Sequence, residues 1–93
     1  MARARKVREV DFLHPDGWRE VQIVWQLPDG GYRVRLSLLN RRGERRVGYD
    51  WHYGKSAHRH FGGAESPYSF TTVDELLADF ARDVERLKQE ERP

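Results

Sequence analysis

Val21-Gln22-Ile23-Val24-Trp25-Gln26-Leu27-Pro28-Asp29-Gly30-Gly31-Tyr32-Arg33-Val34-Arg35-Leu36-Ser37-Leu38 reads as two strands and the turn that joins them. Val21, Ile23, Trp25 and Leu27 share one face of the first strand, with Glu20, Gln22 and Gln26 opposite. In the second strand Tyr32, Val34, Leu36 and Leu38 share a face, and Arg33, Arg35 and Ser37 lie on the other. Between them, proline presets φ, aspartate folds its carboxylate onto the backbone, and glycine takes the reversed φ, so Pro28-Asp29-Gly30 is a turn. Working outward, His14-Pro15-Asp16-Gly17 is a turn of the same kind, entered from a strand carrying Val7, Val10 and Phe12. Asn40-Arg41-Arg42-Gly43 is a third, leading into a strand from Arg45 to Trp51. Turns so closely spaced predict an antiparallel meander, because parallel strands need long crossovers.

Beyond the strands the hydrophobic period changes. Thr72-Val73-Asp74-Glu75 reads as a capping box. Val73, Leu76, Leu77, Phe80, Val84 and Leu87 then fall on one face of a helix. That stripe is most simply the face that packs on the sheet. A seam between two copies, making a homodimer, is the lesser reading, since two heptads rarely hold a coiled coil. The predicted fold is a single α+β domain over 1–93, an antiparallel sheet of four to five strands with one long C-terminal helix packed on one face. Its expected bounds are a basic arm over 1–6, strands over 7–61 and the helix over 72–89.

Composition narrows the class. The 93 residues contain no cysteine, which removes disulfides and thiolate zinc sites and suits a reducing cytoplasm. No apolar run approaches the roughly 20 residues that cross a bilayer, and Arg3, Arg5, Lys6 and Arg8 are not followed by the apolar stretch of a secretory signal. The expectation is a soluble cytoplasmic domain without a membrane partner. Net charge is only +2 but unevenly spread. Residues 1–71 carry thirteen Lys/Arg against eight Asp/Glu, whereas 72–93 carry four against seven. A basic body favours an anionic partner such as RNA, through counterion release; ordinary solvated charge is the bland alternative.

The segment from Gly48 to Gly63 holds His52, His58 and His60, three of the four histidines, among Trp51, Tyr53 and Phe61. A hairpin centred on Lys55 would pair His52 with His58 and Asp50 with His60, all on one face, with Lys55 at the tip and Arg59 on the opposite side. Such a face suits RNA cleavage by transphosphorylation. His58 and His60 would be acid and base, Asp50 would orient His60, and Lys55 or Arg59 would bind the phosphate. Trp51 and Tyr53 would stack bases, and Arg33, Arg35, Arg41 and Arg42 would hold the nucleic-acid backbone. Arg41, Arg42, Arg45 and Arg46 surround a loop tip, for which a solvated hairpin end is an equal reading. Two further readings stay open: a non-enzymatic module binding nucleic acid or an acidic partner, and a metal protein with His52, His58 and His60 as ligands. The H-x5-H-x-H spacing matches no structural zinc pattern, so no metal or cofactor is expected. Trp25, Tyr49, Tyr68, Phe70 and Phe80 are expected in the core.

The string Gly48-Tyr49-Asp50, Gly54-Lys55, His58-Arg59-His60, Pro67-Tyr68, Phe70-Thr71, Leu76, Asp79-Phe80 and Asp83-Val84 resembles the TumE-type toxin family of bacterial toxin–antitoxin modules. The likeness is close over the second half of the chain and extends to the first as a pattern of strands around Asp29-Gly30-Gly31-Tyr32-Arg33. Trp51 stands where the family pattern has Asn, and Ala57 where it has an acidic or small residue. The resemblance implies a helix-turn-helix antitoxin encoded nearby as partner and points to Asp50, Lys55, His58 and His60. Ribonuclease activity follows only by analogy with other small toxins of such modules.

Overall fold

The computed structural model describes residues 3–51 and 56–91. Among these residues six strands follow in order, β1 (Arg5–Leu13), β2 (Arg19–Gln26), β3 (Tyr32–Leu39), β4 (Arg45–Trp51), β5 (His58–Phe61) and β6 (Ala64–Pro67), and then one helix, α1 (Val73–Glu90). The strands form one antiparallel sheet in sequence order, the expected meander. It has six strands, however, not four to five, and they run from Arg5 to Pro67 instead of 7–61. The additional strand, Ala-Glu-Ser-Pro, carries no alternation and little β-propensity. It pairs because Gly62-Gly63 turns the chain straight back on β5, setting Phe61 opposite Ala64.

The first three connections share one geometry. Leu27 N–H donates to the Gly31 carbonyl at 2.8 Å, and Gly30 N–H donates back to the Leu27 carbonyl at 3.0 Å. Gly30 has φ +89°, which an L side chain resists, and the Asp29 carboxylate accepts from Gly31 N–H at 2.8 Å. This is a type I turn closed by a glycine bulge. The same pairs of bonds recur at His14–Trp18 and Asn40–Glu44.

Register then decides which faces meet. Val24 lies opposite Val34, and Gln22 opposite Leu36. The apolar face of β3 is therefore continuous with Gln22 and Val24 of β2, not with Val21, Ile23 and Trp25. The helix covers the former face. Its core is Val24, Val34, Leu36, Leu38, Val47 and Tyr49 from the sheet against Leu76, Phe80, Val84 and Leu87 from α1, with Trp51, Tyr68 and Phe70 packed around it. Each large side chain so buried contributes roughly 1.5–3 kcal/mol. Tyr49, Tyr68, Phe70 and Phe80 thus join or flank the core as expected. Trp25 does not; it stands half-buried on the face away from the helix.

The helix starts where the capping pattern places it. Thr72 has extended backbone, and its hydroxyl accepts from Glu75 N–H at 3.1 Å. Thr72→Ala is expected to lower stability by about 1 kcal/mol, which thermal melting would read as a fall of roughly 4–8 °C in a domain of this size.

Candidate active site

The face of the sheet away from α1 carries the titratable cluster. β4 and β5 pair with Asp50 opposite His58 and Gly48 opposite His60, two residues from the expected match of Asp50 with His60. Antiparallel strands that slide by two residues keep every side chain on its face. Asp50, His58 and His60 therefore still share one face, although the strands pair one even step away from the expected register. His52, Tyr53 and Lys55 lie outside the described residues.

Glu65 completes the cluster, and the sequence reading missed it. It sits opposite His60 on β6, with its carboxylate 3.2 Å from His58 Nδ1 and 3.8 Å from His60 Nδ1. His60 Nε2 is 3.9 Å from Asp50 Oδ2 on its other side. A signal for Glu65 was present: a two-residue turn at Gly62-Gly63 necessarily sets His60 against Glu65. The His58 side chain is 43% exposed and that of His60 25%, so both are open to a ligand.

Arg45 reaches across the same face and donates to Asp50 at 2.7 Å. It can do so because Gly48 lies beneath it. A Cβ at Gly48 would come within 2.7 Å of Arg45 Nε and 2.8 Å of its Cζ. Gly48→Ala is expected to displace this flexible guanidinium and free Asp50, while stability changes by no more than about 1 kcal/mol, the usual worth of a solvated ion pair. A thermal melt of the variant beside the parent would show the fold retained.

The other arginines divide. Arg33 and Arg35 are exposed on this same open face and line a shallow cavity of about 190 Å³ with Trp25, Arg45 and Asp50. Arg41 and Arg42 lie elsewhere, in the β3–β4 turn, around a larger cavity of about 500 Å³ with Asp16, Trp18, Lys88 and Glu91. There Arg41 Nε donates to the Asp16 carbonyl at 2.5 Å. Arg46 is held by Glu91 of the helix end.

Arg59 faces the helix, as alternation requires. It donates to Asp83 from Nε at 2.7 Å and Nη2 at 2.9 Å, and the Tyr49 hydroxyl donates to the same carboxylate. Burial raises the Asp83 carboxyl, but the bonds from Arg59 and Tyr49 outweigh it and hold the group below the usual carboxylate range. Burial and Asp83 push the Tyr49 phenol upward, and Asp83 raises Arg59. Arg59 therefore ties the sheet to the helix in this structure. Trp51 also points to that side, packed on Tyr68 and Phe70 with ring centroids 6.4 and 5.1 Å away.

Among the described residues no group of three or more His, Asp or Glu is arranged to hold a metal ion, and no helix is long and apolar enough to cross a membrane. What the fold and site define is a small α+β domain with a histidine–carboxylate cluster on its uncovered sheet face. The family model for toxin TumE matches residues 19–88, from β2 almost to the end of α1, and the chain belongs to that toxin family. Neither a curated protein nor a solved structure matches it.

Proposed function

We propose that this protein is the toxin of a bacterial toxin–antitoxin module and cleaves RNA in the cytoplasm by metal-independent transphosphorylation at His58 and His60. The observation that carries the reading is two imidazoles on one uncovered sheet face, each beside a carboxylate and bordered by Arg33 and Arg35. Alternate residues of a strand are about 7 Å apart, a span that brackets one phosphodiester. His58 has Nδ1 against Glu65, which leaves Nε2 for the substrate as the base. His60 stands between the Asp50 and Glu65 carboxylates at 3.9 and 3.8 Å, distances that leave its ring free to turn an N–H to the leaving oxygen, and it serves as the acid.

In the reaction His58 takes the 2′-hydroxyl proton as that oxygen attacks phosphorus. The P–O2′ bond forms and the P–O5′ bond breaks. His60 protonates the departing 5′-oxygen, leaving a 2′,3′-cyclic phosphate and a 5′-hydroxyl. Arg33 and Arg35 supply positive charge for the phosphate backbone.

The ends of the products test this directly. Purified protein incubated with RNA in a chelator should yield cyclic-phosphate ends, and a single 2′-deoxy substitution should block cutting at that position. Products with 5′-phosphates, or cleavage that stops with chelator, would overturn it. Membership of the toxin family supports a helix-turn-helix antitoxin encoded nearby as partner; co-expression should restore growth, and the two proteins should co-purify.

A further inference from the structure

We infer that Trp25 and Arg33 form a base-stacking subsite for single-stranded RNA beside the histidine pair, an inference that rests on the reading of that pair as an RNA-cleaving site. Trp25 is a large aromatic on the wrong side of the sheet for the core, flanked across the strands by Lys6 and Arg33. The Arg33 guanidinium carbon lies 4.8 Å from its ring centroid. Seven of the thirteen described arginines are matched to carboxylates: Arg19 with Asp11, Arg42 with Glu44, Arg45 with Asp50, Arg46 with Glu91, Arg59 with Asp83, Arg82 with Asp79 and Arg86 with Glu90. Among the described residues no carboxylate is paired with Arg33 or Arg35, and both are exposed.

An indole and two guanidinium groups without carboxylate partners, one of them layered on the indole, around one small cavity match the chemistry of a nucleotide. The base stacks on the Trp25–Arg33 layer, and phosphate pairs with Arg35. Asp50 both lines this cavity and neighbours His60, so subsite and cluster are continuous. Trp25 on β2 and the histidines on β5 are three strand spacings apart, roughly 14 Å. An RNA strand laid across the strands would present its scissile phosphate to His58 and His60 and a base further along the strand, not the adjacent one, to Trp25. Stacking needs an unpaired base, which excludes a duplex. An acidic protein segment would use the arginines but not the indole.

The test is binding of a labelled all-deoxy single strand, followed by anisotropy across salt concentrations. That probe lacks the 2′-hydroxyl, so the result is independent of cleavage. Trp25→Ala should weaken binding about tenfold or more, as loss of one stacked base does, whereas Trp25→Phe keeps most of it. Arg33→Ala and Arg35→Ala should each lower the salt slope by about one. The matching duplex should bind more weakly and ignore Trp25. The subsite is overturned if Trp25→Ala binds as the parent does, if the duplex loses as much as the single strand, or if the parent does not bind. The cleavage reading fails separately, if Trp25→Ala loses the single strand while the parent cuts no RNA.

Discussion

Replacing His60 with alanine is expected to abolish growth arrest on induced expression and to slow RNA cleavage by roughly 10²–10⁴-fold, the usual contribution of a positioned acid or base. His58→Ala should do the same. Neither change should unfold the protein. Both imidazoles are partly exposed, and the contacts of His60 at 3.8 and 3.9 Å are too long for hydrogen bonds. In the parent the cleavage rate should follow a bell-shaped pH profile, and each alanine variant should lose one limb of it. If both variants arrest growth as the parent does, these histidines are not the site. Toxicity that instead follows Arg33→Ala and Arg35→Ala, fades with salt and yields no cut RNA would describe a binding module.

The second large effect lies on the other face. Asp83 is only 3% exposed, and Arg59 and Tyr49 both bond to it across the helix–sheet interface. Asp83→Ala leaves the Arg59 guanidinium partly buried without its partner, a change that costs about 3–5 kcal/mol. Domains of this kind have only about 5–15 kcal/mol in total, so denaturant unfolding should show a large fall in midpoint. Replacing the three together, Arg59→Met and Asp83→Leu with Tyr49→Phe, should recover most of the loss, since neither a charge nor the buried Tyr49 hydroxyl is then stranded. A triple variant as unstable as Asp83→Ala would show that the cluster has another role.

Asp83 also sets an acid limb. Its carboxyl titrates lower in the fold than in the unfolded chain. Its contribution is therefore complete above the unfolded value of about 3.9 and is lost as pH falls through the lower folded one. Asp83→Asn should flatten stability against pH below about pH 4 and leave the profile near neutrality with the same slope.

Much of the fold was legible because it rests on local chemistry. Pro28-Asp29-Gly30 must turn whatever surrounds it, and Arg33-Val34-Arg35-Leu36 must alternate if it is a strand. Thr72 ahead of Leu76, Phe80, Val84 and Leu87 marks an amphipathic helix within a single window. β6 was not legible, since Ala64-Glu65-Ser66-Pro67 has no pattern of its own and becomes a strand only by pairing with β5. Glu65 was lost with it. The face shared by Asp50, His58 and His60 survived a wrong register because the slip was even.

Alternation alone tells two faces of a strand apart but does not say which one a helix will cover. On β2 it favours the face of Val21, Ile23 and Trp25, yet the hairpin register places Val24 with Val34 and sends Trp25 to the open side. Arg59 likewise alternates away from His58 and His60. Only the return of the chain through Tyr68 to α1 brings Asp83 above it. Those outcomes depend on contacts between residues distant in sequence, where side-chain pattern is silent and the packing of one covered face against one helix decides.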